Sequence, residues 1–216
     1  ENRLASAYDP ITDRNVYRNL GDVEKYGIDG SIGWQPIDEL FLYAFGSYLE
    51  SEIKDNVQSG TAADGTPLFI ETAGKRESGA PEYSFGGQAR VLLGPVDLGV
   101  TAKRTGGRYI YDTNLPIYGG NPAAPFQIYG AKTPAYWLVN LDARLGLEWA
   151  GINENTYLQF NVYNLFDQLY VGNFTNGLNQ GGVIGDGQFT GTGNFSATPF
   201  AQIGAPRTAS VSINVA

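Results

Sequence analysis

From Tyr136 to Trp149 the chain alternates without a break between two kinds of side chain. Trp137, Val139, Leu141, Ala143, Leu145, Leu147 and Trp149 make one row, while Tyr136, Leu138, Asn140, Asp142, Arg144, Gly146 and Glu148 make the other. Period two belongs to a β-strand, so one face is wholly apolar and the opposite face is mostly polar or charged. The Trp residues at the two ends of the apolar row lie about 40 Å apart at roughly 3.3 Å per residue. Tilted by about 45°, that span gives about 28 Å of height, close to a bilayer's apolar thickness, with an amphipathic ring at each water boundary. Soluble strands are shorter and have no reason to carry Trp at both ends. The segment reads as one stave of a transmembrane β-barrel.

The same rule places about seven long strands, with the apolar row of each assigned to lipid. The first, 22–35, sets Tyr26, Ile28, Ile32 and Trp34 against Asp29, Ser31 and Gln35. The second, 40–54, has Phe41, Tyr43, Phe45 and Leu49 in phase, opposed at its far end by Glu50 and Glu52. In the third, 82–93, Tyr83, Phe85, Ala89, Val91 and Leu93 face away from Ser84, Gln88 and Arg90. The fourth, 96–111, carries Val96, Leu98, Val100 and Ala102 outward, and its phase blurs at Gly106-Gly107, read as a bulge. After the Trp137–Trp149 strand, the sixth, 155–164, sets Leu158, Phe160 and Val162 against Gln159, Asn161 and Tyr163. The last, 205–216, sets Ala209, Val211, Ile213 and Val215 against Ser210, Ser212 and Asn214.

The connections alternate in length. Segments 35–38, 94–95 and 150–154 are tight turns, whereas 55–81, 113–134 and 165–204 are long and rich in Gly, Asn and Pro. Long loops gathered at one end are the plan of outer-membrane barrels, which have short periplasmic turns and long external loops. A soluble sandwich does not need such unequal ends.

Composition narrows the class further. Mean hydropathy is −0.22, and no run nears the roughly 20 apolar residues of a spanning helix. A helical membrane protein is excluded, but a barrel is not, because half of each strand is allowed to be polar. The 14 Tyr and 11 Phe suit sheets and interface belts, and the 29 Gly suit turns. With Cys and His both at zero, no disulfide framework, thiolate or His-based nucleophilic catalysis, or Cys- or His-bound zinc is available. The net charge of −8 argues against a nucleic-acid partner. Met is also absent and no signal-like segment opens the chain, so it is expected to be a C-terminal piece of a longer exported protein.

Three stretches then carry a family resemblance. They are Asn19-Leu20-Gly21-Asp22-Val23-Glu24-Lys25-Tyr26-Gly27-Ile28-Asp29, the N-L-F-D-x-x-Y ending within Asn161–Tyr170 (Asn164, Leu165, Phe166, Asp167, Tyr170), and Gly204-Ala205-Pro206-Arg207-Thr208. In this order and at these separations, the chain resembles the C-terminal part of a TonB-dependent outer-membrane receptor. The resemblance covers nearly the whole length. It implies a 22-stranded barrel enclosing an N-terminal plug, a TonB-contacting segment near the start of that plug, and a bacterial outer-membrane location. The chain itself, 1–216, is then all barrel, and the plug and TonB box lie outside it. Members usually end on an aromatic residue, whereas this sequence stops at Val215-Ala216, so the natural chain is expected to continue by at least one aromatic residue.

Candidate functional residues follow from this frame. Asp29, Asp142, Arg144 and Glu148 are expected on the lumen face, as plug contacts or as plain solvated wall. Trp34, Trp137 and Trp149 are expected in the interface belts. Arg108, Tyr109, Tyr111, Tyr118, Phe126, Tyr129, Phe174, Phe189, Phe195 and Phe200 lie near or in the external loops. Such aromatics can grip a flat ligand, or they can simply pack loop against loop. Arg104 and Arg108 suit an anionic ligand or lipid phosphate, with a snorkelling interface arginine as the simpler role. Loop segments Asp64-Gly65, 185–187 and 191–194 are oxygen-rich enough for calcium but lack EF-hand spacing, and plain turns suffice for them. Glu50 and Glu52 have nothing to orient them for acid–base chemistry.

The function expected is therefore uptake of a scarce solute, such as a siderophore, a cobalamin-like compound or an oligosaccharide, with TonB-transmitted energy and outer-membrane lipid as solvent. No enzyme activity, cofactor or metal is expected. A passive porin-like barrel without a plug is the alternative, and a soluble carbohydrate-binding sandwich is a third class.

Overall fold

The computed structural model describes residues 2–9, 14–61, 64–121, 124–153, 155–174, 194–195 and 200–215. Eight strands form one antiparallel sheet in chain order, and the sheet is not closed. They are β1 (Asn2–Asp9), β2 (Arg14–Ile37), β3 (Leu40–Ile53), β4 (Tyr83–Leu93), β5 (Val96–Thr105), β6 (Tyr136–Gly146), β7 (Tyr157–Tyr163) and β8 (Thr208–Asn214).

Register carries one apolar face across the sheet. Ile32 lies beside Ala44, Ala44 beside Gly87, Gly87 beside Ala102 and Ala102 beside Val139. One row down, Leu42, Ala89, Val100, Leu141, Val162 and Ala209 continue the face to β8. Ile28 is 73% and Val211 65% exposed, so among the described residues no second layer covers this face. A buried apolar cluster sits instead at the long-loop end, formed by Ile110, Tyr111, Ile117 and Phe174. A soluble sandwich, which must bury its apolar face against a second sheet, is incompatible with this arrangement.

Four sequence expectations are corrected. The main sheet has an additional strand, β1, and β2 begins at Arg14 rather than near residue 22. Here β1 pairs with the upper part of β2, from Asp9↔Arg14 to Asn2↔Asp22, whereas β3 pairs from Val23↔Ile53 downward. No period-two alternation of apolar and polar residues runs through 2–9 or 14–21, so the sequence rule does not mark this hairpin.

The second correction concerns phase. The large aromatics Phe41, Tyr43 and Phe45 do not share the apolar face with Ile32 and Trp34; Leu42, Ala44 and Gly46 do. Tyr43 stands beside Gly33 and Gln88, and Phe45 beside Ser31 and Gly86. Both rows of β3 are apolar, so ring size misleads, and pairing with the neighbouring strands decides. Third, β6 ends at Gly146. Leu147 is buried and donates its N–H to Thr156 O at 3.0 Å, and Glu148–Ala150 form a 3₁₀ turn closed by Gly151 at φ 75°. Glu148 and Trp149 therefore lie on the short-turn connection and not on the wall. Fourth, β5 stops at Thr105, so Gly106-Gly107 ends the strand instead of bulging within it.

The short connections otherwise fall where expected, with Gly94 at φ 59° turning β4 into β5. The long loops carry ribbons of their own: Val57–Thr61 with Pro67–Ile70, Ile117–Asn121 with Ala124–Tyr129, and Val171–Phe174 with Ala201–Ile203.

The two rows of β3 make opposite demands on a charge. In the whole protein, Ala44→Arg on the apolar face is expected to cost about 2–4 kcal/mol of stability in bilayers. Tyr43→Arg, on the opposite face, costs clearly less, although Tyr43 is the more hydrophobic residue. Equilibrium denaturant unfolding in lipid vesicles reads the difference, and equal costs would refute the register.

Candidate functional site

The polar face of β4–β7 holds a charged cluster. The Arg90 guanidinium donates from Nη1 to Asp97 Oδ2 at 2.7 Å and from Nη2 to Asp142 Oδ2 at 2.7 Å. The bridge from β4 to β6 passes over Gly99 of β5, which lies between Arg90 and Asp142 in the register. A Cβ at Gly99 would run into the Asp142 carboxylate, so glycine makes the bridge possible. Asp97 lies opposite Arg144, whose guanidinium sits 3.7 Å from the Tyr157 ring centre. Asp97 Oδ1 is buried and, among the described residues, lacks a hydrogen-bond partner. Gln159, Asn161 and Asn140 extend this open polar depression of about 380 Å³. Asp29, on the same face of β2, is exposed beside Ser47. Of the four expected lumen residues, Asp29, Asp142 and Arg144 thus share the polar face and Glu148 does not. Arg90 and Asp97 were not singled out, although opposite charges in register with Asp142 were a usable signal.

The apolar face has aromatic residues at both ends. Trp34 lies near the Ile37–Leu40 turn, and Trp137 lies near the long-loop end. Phe85 meets the Trp137 ring edge-on, with centroids 5.4 Å apart, and Arg104 lies 5.8 Å over the same ring.

At the long-loop end the candidate ligand residues are largely engaged with one another. Tyr111 and Phe174 are buried with Ile110 and Ile117, and Tyr129 packs against them. Arg108 donates to Val171 O at 2.6 Å and lies 5.0 Å over the Phe174 ring, so it ties two loops together and does not face lipid. Tyr109 lies under the Lys132 ammonium at 4.3 Å. Tyr118 is half-buried, whereas Phe126 and Phe200 are exposed. The backbone of Phe195 pairs with Tyr118, and Phe189 and 185–187 lie outside the described residues. Burial pushes the Tyr111 phenol above its ordinary pKa.

A cross-loop staple escaped the sequence reading. Arg76 N–H donates to Asn114 Oδ1 at 2.7 Å, and Asn114 Nδ2 donates back to Arg76 O at 2.8 Å. Ser78 N–H donates to buried Asp112 at 2.8 Å, while Arg76 Nη1 reaches Glu50 at 2.8 Å. Only the turn-forming run Asp112-Thr113-Asn114 hinted at it. Asp64 spends its carboxylate on the Thr66 N–H at 2.9 Å, a local turn that holds its pKa below the ordinary value. Just past β3, Lys54 bridges Glu24 at 2.7 Å and Glu52 at 3.0 Å, and these partners raise its pKa.

The N-L-F-D segment closes the last long loop. Asn164, buried at φ 52°, accepts from Gln168 N–H at 2.8 Å and donates to Gln168 O at 3.0 Å and Ala205 O at 3.1 Å. Leu165 N–H donates to Val139 O at 2.8 Å, and Asp167, at φ 53°, accepts from Arg207 N–H at 2.8 Å. Phe166 is exposed.

Residues 1–165 match the family model described as TonB dependent receptor-like, beta-barrel. The chain belongs to the TonB-dependent receptor family. Its fold is similar to that of solved receptors. The ferric yersiniabactin uptake receptor FyuA of Yersinia pestis aligns with a TM-score of 0.58 at 14% identity, over 91% of this chain and 24% of that one. The ferripyoverdine receptor of the outer membrane of Pseudomonas aeruginosa aligns with a TM-score of 0.52 at 18% identity, over 99% and 23%. The ferric preacinetobactin receptor BauA of Acinetobacter baumannii gives 0.52 at 18%, over 98% and 25%. The chain thus spans about a quarter of each receptor, and at these identities the likeness is one of fold. No curated protein matches the sequence.

Two substitutions separate the roles of these turns in the whole receptor. Asn164→Ala removes the three hydrogen bonds to Gln168 and Ala205 and is expected to cost about 1–3 kcal/mol, read as a lower melting temperature. Asn114→Gly keeps the left-handed turn but removes the staple, so limited proteolysis within 71–82 accelerates without a change in barrel melting. Unchanged cleavage would show that the two loops are held by other contacts.

Proposed function

We propose that this chain is the C-terminal wall of a bacterial outer-membrane receptor that imports a scarce solute with TonB-transmitted energy. The observation that carries this reading is the pair of faces held in one register: an apolar face uncovered by protein, and a polar face with the Arg90–Asp97–Asp142 cluster. Lipid suits the first, and a hydrated lumen closed by a plug domain suits the second. Asp29, Asp142 and Arg144, with Arg90 and Asp97, are then contacts for that plug. Exposed Phe126 and Phe200, at the long-loop end, are the first candidates for meeting ligand from outside. The half-buried Tyr109 and Tyr118 are next. Arg108, Tyr111, Tyr129 and Phe174 act as the packed support beneath them.

A siderophore, a cobalamin-like compound and an oligosaccharide all suit such a receptor. The similar receptors are named for ferric yersiniabactin, ferric preacinetobactin and ferripyoverdine, which makes an iron chelate the first solute to test. The reading assigns no reaction to the protein, and family members serve as transport receptors.

The test is growth of cells with and without the intact gene under iron limitation and under sugar limitation, each with and without TonB. One limitation is expected to need both the gene and TonB. Uptake that needs the gene but persists without TonB would replace this reading with the passive barrel.

A further inference from the structure

Much of the deepest burial in this chain lies in a loop and not in the sheet. Ile110, Asp112, Thr113 and Ile117 are at most 2% exposed, and all four belong to the connection between β5 and β6. A sheet with two open faces has no interior of its own, so side chains that shield one another from water must do so elsewhere. Segment 108–117 is where they do. Its backbone is held within its own loop, since Ile110 N–H donates to Ala131 O at 3.1 Å and Thr133 N–H donates to Arg108 O at 2.9 Å.

Both of the other long loops close on this segment. From the β3–β4 loop, the N–H groups of Arg76, Ser78 and Gly79 donate to Asn114 Oδ1, Asp112 Oδ1 and Tyr109 O, at 2.7, 2.8 and 2.9 Å. From the β7–β8 loop, Phe174 and Val171 pack against Ile110, Tyr111 and Ile117, and Val171 O accepts from the Arg108 guanidinium. The assembly has the two ingredients of a small domain: apolar side chains that cover one another, and buried polar groups that are paired.

We propose that the three long loops fold together as one cooperative unit, centred on 108–117, which opens and closes independently of the barrel wall. Loops held only by their own hairpins open one at a time, each at its own cost. Here the β3–β4 loop and the β7–β8 loop bond to the same short segment, so displacing that segment removes support from both at once. Hydrogen-bond partners and shielded apolar surface are lost in a single step, which makes the opening all-or-none. Neither lipid nor solute is needed to form such a unit. Its consequence is coupling: an occupant held at Phe126 or Phe200 also tightens residues 76–79, through contacts it does not itself make.

The β3–β4 loop carries its own control. Gly74 and Lys75 donate their N–H groups to Ile53 O and Thr72 O, at the end of the wall, whereas Arg76, Ser78 and Gly79 donate to the shared segment. Hydrogen exchange of the whole receptor in mild detergent, resolved to single amides by electron-transfer fragmentation, reads the two sets separately. Residues 76, 78, 79, 110, 133 and 171–174 are expected to share one protection, lower than that of β4–β6. Ile110→Ala is expected to speed exchange at all of them by one common factor of roughly ten or more, leaving Gly74 and β4–β6 unchanged. Arg108→Gln, whose lost side-chain contacts lie with 171–174, is expected to speed exchange at 76, 78 and 79 as well. Heat-modifiable migration on gels verifies that the barrel is folded, and Ile110→Val, with a smaller common factor, serves if Ile110→Ala fails it. Acceleration confined to 171–174 in Arg108→Gln, or a different factor for each loop in the Ile110 variant, would overturn the unit and leave three independent loops.

Discussion

Backbone pairing is the constraint on which everything else in this wall depends. In hydrocarbon an unpaired N–H or C=O costs several kcal/mol, so each strand must be bonded along its length to its neighbours. Once that ladder is set, side-chain direction is no longer free, because a slip of one residue would exchange the two faces of a strand. The register does more here than hold strands together. It decides that Ala44 and not Phe45 shares the apolar face with Ile32, and it puts Arg90, Gly99 and Asp142 on one line.

The polar face shows how a sheet builds a charged cluster without a loop. Side chains from β4 and β6 are separated by a whole strand, and only the missing side chain at Gly99 lets a guanidinium reach a carboxylate across it. The same device recurs at Gly204, where a Cβ would strike the Tyr170 ring that packs against Tyr136 at 4.5 Å. Glycine at both positions makes room for a neighbour's side chain, and at Gly99, within β5, it does so at the expense of some local strand propensity.

The barrel class was legible because lipid imposes a strict rule on half the positions of each strand, and Trp137 to Leu145 obey it without exception. The reading failed where that rule stops operating. β1 and the top of β2 carry no such alternation in their sequence. Leu147 keeps the alternation going for one residue after the strand has ended, because burial under a turn and exposure to lipid both select an apolar residue. On β3 two apolar rows compete, and only the partner strands arbitrate. The candidate site divides in the same way. Asp142 and Arg144 were visible on their own strand, whereas the Arg76–Asn114 staple joins residues 38 positions apart through backbone atoms and leaves almost no compositional trace.

The turn at Asn164 and Asp167 has a consequence for how such proteins diversify. Its bonds to Ala205 and Arg207 pin the two ends of the intervening segment within a few residues of the wall. Lengthening a segment whose ends are already pinned adds little closure entropy, since that penalty grows only with the logarithm of length. Insertions and deletions between residues 175 and 199 are thereby uncoupled from the stability of β7 and β8. A lineage can remodel what it displays to the outside world while inheriting its wall unchanged.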